Sequence, residues 1–167
     1  MNKKIYKSAI RWKDEYCDIL HCEVKDFSDI PHECVKKIHG VCFNDGKMLV
    51  VYHEKWNVWG IPGGTKEGDE SAIKTLEREI YEESACRLVN AHPFAYQEVT
   101  HSDGSSYYSL LYHCEVEADG DFEKDIAGSI TKISWIQPET YEEYLEEKTF
   151  RRVVVQSALD FRGTLGL

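Results

Sequence analysis

Short apolar stretches separated by turn residues occur along the first third of the chain, a pattern typical of β-strands. Residues 4–11 and 15–24 follow this pattern and predict two short strands, read as a hairpin. The runs HGVCF and KMLVVYH flank Asn44-Asp45-Gly46, a tripeptide typical of a tight hairpin turn. We therefore expect the chain to begin with two hairpins.

The second half of the chain also alternates, and its turn residues separate further strands. The predicted strands are 87–89, 94–100, 108–116 and 130–136, with an interruption expected at Pro93 between the first two. Helical spacing returns near the end, where helices are predicted from Pro138 onward and over 149–161.

Between these halves, residues 63–86 read GGTKEGDESAIKTLEREIYEESAC, a glycine pair followed by a helical pattern. At about 100° per residue, Glu79, Glu82 and Glu83 fall along one stripe, with Glu83 at the edge of the apolar stripe. The residues of the predicted apolar stripe are Ala72, Ile73, Leu76 and Ile80.

Three stacked carboxylates repel one another and raise each other's pKa values. A solvated acidic helix face is the simplest interpretation of such a cluster. A hard divalent cation would remove the repulsion, since Mg²⁺ prefers carboxylate oxygens and shares its remaining positions with water and phosphate. The glycine pair beside the acids favours this second interpretation.

The stretch resembles a Nudix box. The family pattern is Gly, five residues, Glu, seven residues, then Arg-Glu-apolar-any-Glu-Glu-any-Gly-apolar. The matching residues are Gly64, Glu70, Arg78, Glu79, Ile80, Glu82, Glu83 and Cys86. Ala85 stands where the family has glycine, which normally ends the helix in a left-handed conformation, so we expect a reshaped helix exit.

The resemblance implies an α/β fold, an α/β/α sandwich around a mixed β-sheet. We expect one domain over residues 1–167, in which 1–36 form an N-terminal extension of strands and 37–167 form the Nudix core. An apolar hairpin that leads into Trp-Gly-Ile-Pro-Gly-Gly, and a strand that contains Trp135 followed by a helix, also resemble this family.

The resemblance also implies a metal-dependent hydrolase. The carbonyl of Gly63 would join Glu79, Glu82 and Glu83 in binding one or more Mg²⁺ or Mn²⁺ ions. The reaction would be attack of water on a phosphorus of a nucleoside diphosphate linked to some group X.

Arg78 has two interpretations: it orients the acids through charge-assisted hydrogen bonds, which we favour, or it contacts phosphate. Glu70 is expected to partner Arg78 or to steady the loop. Gly64 is a candidate for close approach to the substrate because it lacks a side chain.

The general base is predicted to be Glu82, although many family members use a glutamate from the loop before the Trp strand. Residues 127–134 of this loop contain no acid. The other candidates are Glu98, Asp103, Glu123 and Asp125.

Aromatic side chains are candidates for stacking on a nucleobase, since aromatic faces accept bases. The candidates are Trp56, Trp59, Tyr107 and Tyr108, of which Trp56, in the loop before the glycines, is preferred. His101 and His113 are expected on ordinary strand or turn surfaces.

Composition limits the partners. A net charge of −10 argues against a surface that wraps nucleic acid. The partner that the resemblance implies is a small nucleotide. No apolar run approaches the roughly 18 residues of a membrane span and no signal peptide is recognised, so a cytoplasmic location is expected. A homodimer is left open.

Six cysteines are expected to be free thiols in a reducing compartment. A zinc site among Cys17, His21, Cys22, His32 and Cys34 is disfavoured, because the paired C-x₂₋₄-C spacing is missing and Cys17 and Cys22 would face opposite sides of a strand.

Two other functions share this fold. One is a non-catalytic nucleotide-binding or regulatory module, which would have no reason to keep repelling carboxylates. The other is isomerisation of an isoprenoid diphosphate, which needs a cysteine in the pocket, and neither Cys86 nor Cys114 carries a motif for that role. The substrate itself, a nucleoside triphosphate, an ADP-ribose-like compound or an RNA 5′ end, is not specified by any segment.

Overall fold

A mixed β-sheet organises the computed structural model, which describes residues 5–12, 15–123, 125, 129–146 and 150–166. Within these residues the strands are β1 (Ile5–Trp12), β2 (Glu15–Glu23), β3 (Val35–Asn44), β4 (Lys47–His53), β5 (Val58–Gly60), β6 (Gly63–Thr65), β7 (Cys86–His101), β8 (Ser106–Ala118) and β9 (Ile130–Ile136). The α-helices are α1 (Ala72–Ser84), α2 (Tyr141–Tyr144) and α3 (Phe150–Leu165). Short 3₁₀ turns occupy His32–Cys34, Glu54–Trp56 and Pro138–Thr140.

The strand order is β1-β2-β7-β8-β3-β4-β5, while β6 pairs with β3 and β9 pairs with β4. The β3–β8 pair is parallel and aligns Cys42 with Cys114, whereas the other pairs are antiparallel. Because β2 pairs with β7, the described part of the N-terminal extension continues the same sheet.

Helices cover both faces of the sheet. On one face, Leu76 and Ile80 of α1 pack against β3 and β8 in a buried cluster. On the other face, Val154, Val155 and Ala158 of α3 join a second cluster. Alternate residues of a strand point to opposite faces, so β3 serves both cores. The predicted α/β/α sandwich is confirmed.

The structure confirms one local prediction from the sequence, the hairpin turn, and contradicts two others. Asp45 and Gly46 both have positive φ, 47° and 77°, as the favoured hairpin turn requires. Ile73 is 39% exposed, so its assignment to the apolar stripe of α1 is wrong. The interruption expected at Pro93 is also wrong: β7 runs through Pro93, next to a register shift with β8, where a proline is tolerated.

The exit of α1 keeps the usual geometry without the usual glycine. Ala85 adopts a left-handed conformation, φ 52° and ψ 33°, and its N–H donates to the carbonyl of Tyr81 over 2.9 Å. The expected reshaped exit is therefore wrong. The alanine takes the conformation of the glycine that it replaces, at a cost of about 1 kcal/mol.

No helix in the described ranges combines the length and the apolar composition that crossing a membrane requires.

Candidate active site

The two glycines before α1 both lie in close contact with neighbouring groups. Gly63 has a φ of 139°, and a Cβ atom there would overlap the backbone carbonyl oxygen of Ile38. A Cβ atom on Gly64 would overlap the carboxylate of Glu79. The loop therefore lies directly against the acidic helix.

Arg78 lies at the centre of a hydrogen-bond network. Its Nε donates to Oε1 of Glu70 over 3.0 Å, and its Nη2 donates to the carbonyl of Thr65 over 3.1 Å. Its Nη1 donates to Oε1 of Glu79 over 3.0 Å and to Oε2 of Glu82 over 3.3 Å. One guanidinium thus joins the loop to two of the predicted metal ligands.

Glu70 is held by the same network. Besides Arg78, its Oε2 accepts the hydroxyl of Thr75 over 2.9 Å and the N–H of Glu67 over 3.2 Å. The hydrogen bonds from Arg78 are the main reason that the pKa of Glu70 is lowered to about 2. Glu70 therefore both partners Arg78 and ties the loop, the two alternatives that the sequence offered.

Glu83 lies in a different environment from Glu70. It is only 5% exposed, and its Oε2 accepts the N–H of Gly63 over 2.9 Å. Burial raises the pKa of Glu83 to about 8 against the effect of that hydrogen bond, and the charges of Glu79, Asp125 and Glu82 raise it further. Burial likewise raises the pKa of Glu79, although Arg78 opposes the rise.

A cavity of about 830 Å³ opens beside these residues, and Gly63, Gly64, Glu79 and Glu83 line it. This volume is in the range of small-molecule sites. Glu82 lies outside the lining residues, so the structure brings two of the three predicted acids to the cavity wall.

Two of the four aromatic candidates face this cavity. Trp56, 49% exposed, and Tyr107 both line it, and the Trp56 ring lies 5.3 Å from the ring of His53. Trp59 packs instead against Tyr144, at 5.5 Å, and Tyr108 packs against Tyr96, at 5.6 Å.

Of the four alternative bases, Asp125 is the one whose charge affects the pKa values of both Glu79 and Glu83. It is buried, and its Oδ2 accepts the hydroxyl of Ser129 over 3.0 Å. The other three are less suited: Glu123 and Asp103 are exposed, and Glu98 acts on the pKa values of Tyr96 and Tyr108.

Sequence patterns did not assign several residues to the cavity wall. They are Lys37, His39, His53, Arg151 and the pair Cys17 and His101, whose Sγ and Nδ1 atoms are 3.4 Å apart. The surface position expected for His113 is wrong, because His113 is buried. His101 is partly exposed at the end of β7, and it also lines the cavity. Pattern alone does not join these residues, since they come from distant strands and from α3.

All six cysteines are free thiols. Cys86 and Cys114 are buried in the core under α1, where they do not line the cavity, so the isomerase alternative gains no support from them.

Within the described ranges, no three histidine, cysteine, aspartate or glutamate side chains are already grouped as a metal site. Arg78 explains part of this, since it holds oxygens of Glu79 and Glu82, while Gly63 holds an oxygen of Glu83. The donors are nevertheless hard oxygens that repel one another, which is the set that Mg²⁺ and Mn²⁺ accept.

Comparisons with known proteins agree with this geometry. A family model described as the NUDIX domain matches residues 37–157. A MutT-like protein from Streptomyces ambofaciens is 28% identical over 120 residues, which cover 71% of this chain and 72% of that protein.

Two solved structures share the fold. A mutant of a pyrophosphohydrolase from Bacillus subtilis has a TM-score of 0.69 at 15% identity, over 95% of this chain and 98% of that chain. A NUDIX hydrolase from Nitrosomonas europaea has a TM-score of 0.62 at 20% identity, over 78% of this chain and 90% of that chain. Since the family model spans most of the sequence, including the glycine loop and the acidic helix, the chain belongs to the Nudix hydrolase family.

Proposed function

We propose that this Nudix hydrolase cleaves a diphosphate bond in a small nucleotide with the help of Mg²⁺ or Mn²⁺. The substrate is a nucleoside diphosphate linked to a group X, which includes nucleoside triphosphates and ADP-ribose-like compounds. The observation that carries the proposal is that Glu79, Glu83, Gly63 and Gly64 line one cavity of about 830 Å³.

The metal ligands would be the carbonyl of Gly63 and the carboxylates of Glu79, Glu82 and Glu83. Their fit rests on chemistry: they are hard oxygen donors, and burial, followed by the charges of neighbouring acids, raises the pKa values of Glu79 and Glu83. When bound, the metal supplies charge stabilisation at phosphorus and lowers the pKa of a coordinated water.

Arg78 and Glu70 position the acids. Arg78 contacts Glu79 and Glu82 directly, and Glu70 fixes Arg78 through two hydrogen bonds. This arrangement supports the orienting interpretation of Arg78 over contact with phosphate. Gly64 leaves room for the substrate beside Glu79, and Trp56 offers its ring to a nucleobase.

Glu82 is proposed as the base that accepts the proton of the attacking water. Its side chain is 32% exposed, so water reaches it. Asp125 is less suited, because it is buried and its Oδ2 already accepts hydrogen bonds from Ser129.

The test is a panel of nucleoside triphosphates, ADP-ribose and sugar nucleotides, incubated with Mg²⁺, with Mn²⁺ or with EDTA. Chromatography of the products identifies the cleaved bond. Glu83→Gln should abolish turnover, while Glu77→Gln, which removes an exposed acid from the same helix, should leave it unchanged. Product release that is equal in the wild type and in Glu83→Gln would contradict the proposal and favour a nucleotide-binding module.

Three expectations from the sequence stay predictions: a single domain over the whole chain, a cytoplasmic location and a homodimer as one assembly state. Light scattering of the purified chain tests the assembly, and limited proteolysis tests the domain boundary. Fractionation of cells that express the native chain tests the location.

A further inference from the structure

Basic side chains gather on the cavity wall of a protein whose net charge is −10. Lys37 and His39 come from β3, His53 from β4 and Arg151 from α3, and all four line the cavity that holds Glu79 and Glu83. We call these four residues the basic wall. The wall is assembled from β3 and β4, which are consecutive in the sequence, and from α3, which follows much later, and the Nudix box contributes none of its members.

The members of the basic wall lie close enough to affect one another. Burial is the largest cause that lowers the pKa of His39, and the charges of Lys37, Arg151 and His53 act in the same direction. Burial and then Arg151 lower the pKa of His53 to about 4. At neutral pH His53 is therefore an uncharged hydrogen-bonding group, and the positive charge of the wall lies on Lys37 and Arg151.

Arg151 and His53 both lie beside Gly60. A Cβ atom on Gly60 would lie 3.5 Å from Nε of Arg151, an ordinary contact distance, and 3.1 Å from Nε2 of His53, which is a tight one. The backbone of β5 and the side chains of Arg151 and His53 therefore pack closely at this part of the wall. Gly60 is the last residue of β5 and lies just before the loop that carries Gly63. Arg151 and Gly63 therefore line neighbouring parts of the same cavity wall.

Arg151 differs from Arg78, Arg87 and Arg152 in its partners. Burial lowers its pKa, and Glu146 opposes this through its charge. Among the described residues, no carboxylate forms an ion pair with Arg151 within 4.0 Å, whereas Arg78, Arg87 and Arg152 each have one. A partly buried guanidinium stays charged and is costly to desolvate without a partner.

We propose that Arg151, together with Lys37, binds a phosphate group of the substrate, on the part of the cavity wall that the metal ligands do not occupy. The inference rests on the proposed nucleotide hydrolysis and adds the residues that recognise the anion. A guanidinium presents a planar fork that matches two phosphate oxygens, and a lysine adds a compact positive charge. His53 supplies a neutral hydrogen-bonding group beside them, and the phosphate provides the negative partner that Arg151 lacks among the described ion pairs.

The kinetic test compares Arg151→Gln with Arg87→Gln on the nucleotide that the panel shows to be cleaved fastest. Arg87 is the matched control, since it carries the same charge but its side chain is 59% exposed and pairs with Glu117. Arg151→Gln should raise KM at least tenfold with kcat within threefold of the wild type. Arg151→Lys should recover part of the loss, Lys37→Gln should raise KM severalfold, and Arg87→Gln should change neither constant by more than twofold.

A binding test separates this inference from the proposed reaction. Calorimetry with Mg²⁺ and a methylene-bridged nucleoside triphosphate, which is not hydrolysed, measures the phosphate contact without turnover. Arg151→Gln should weaken this binding at least tenfold. If the wild type hydrolyses nothing but still binds the analogue through Arg151, the proposed reaction fails and the phosphate site stands. If Arg151→Gln binds the analogue as the wild type does, or if the folded wild type does not bind it, the phosphate site is overturned.

Discussion

The acidic site has two halves that differ in charge balance. In one half, the guanidinium of Arg78 contacts Glu70, Glu79 and Glu82. In the other, Glu83 is buried and has the N–H of Gly63 as its hydrogen-bond donor among the described groups. The pKa of Glu70 falls to about 2 while that of Glu83 rises to about 8, although both are glutamates of the same motif.

The difference shows that one motif holds some of its acids in an ion-pair network and buries another without a positive partner. In the half around Arg78, one guanidinium is shared by three carboxylates, and its hydrogen bonds fix their geometry before any ligand arrives. In the half around Glu83, burial disfavours the charged form of the carboxylate. A divalent cation bound there would stabilise that charged form more than a cation bound to a solvated helix face would. The first two predictions below each alter one half, the third compares the two halves, and the last concerns the end of the helix that carries them.

Arg78→Gln should have the largest effect, because it removes the guanidinium that positions Glu79 and Glu82. Misplaced acids lose about 4 kcal/mol of transition-state stabilisation, so kcat/KM should fall about 10³-fold. Steady-state kinetics on the best substrate measures the loss, and Mg²⁺ titration calorimetry should show weaker metal binding. Retention of full activity would show that the network around Arg78 is structural only.

Glu83→Gln tests the buried half through the pH dependence of stability. The pKa of Glu83 is raised from 4.5 to about 8 in the folded protein. The contribution of protonated Glu83 to the free energy of unfolding is therefore fully present below pH 4.5 and is lost as pH rises through 8. In EDTA, the free energy of unfolding of the variant should therefore increase relative to that of the wild type as pH rises. The relative increase should reach at most about 4 kcal/mol at pH 8. Urea unfolding at pH 5, 6.5 and 8 measures the difference, and a difference that is constant over this range would contradict the raised pKa.

Replacing each loop glycine by alanine separates the halves, because Gly63 contacts Glu83 and Gly64 contacts Glu79. Gly63→Ala combines positive φ with a clash against the backbone of Ile38, so it should lower the free energy of unfolding by about 3 kcal/mol. Gly64→Ala meets the flexible end of Glu79, so it should leave the unfolding midpoint nearly unchanged while kcat/KM falls about 10- to 100-fold. Equal effects of the two variants on stability would contradict this division.

Much of the fold and the acid set could be predicted because their signals are local. The alternating runs of β3 and β4, the Asp45-Gly46 turn and the spacing of Glu79, Glu82 and Glu83 each lie within a few residues. Placing Glu83 at the edge of the apolar stripe agrees with its burial in the structure. Periodicity failed at Ile73, because a helical angle does not determine how far the covering sheet extends.

The basic wall could not be predicted, because its members meet only after the sheet has formed. Lys37 reaches the cavity through the parallel pairing of β3 with β8, and Arg151 reaches it because α3 packs on the same face. More than a hundred residues separate the two in the sequence, and neither belongs to a motif. Single-sequence patterns carry no information on such a long-range contact.

The smallest expected effect concerns the end of α1, two residues beyond Glu83. Ala85 keeps positive φ, and its carbonyl accepts the N–H of Asp119 over 2.9 Å, so the conformation is fixed from both sides. Ala85→Gly should raise the free energy of unfolding by about 0.5 to 1 kcal/mol, since the relieved Cβ strain exceeds the added entropy of the unfolded chain. Gly68→Ala is the matched reverse change, at a φ of 51° with open space around it, and should cost a similar amount. Urea unfolding measures both, and a loss of stability in Ala85→Gly would mean that the methyl group of this half-buried alanine contributes more through packing than it costs in strain.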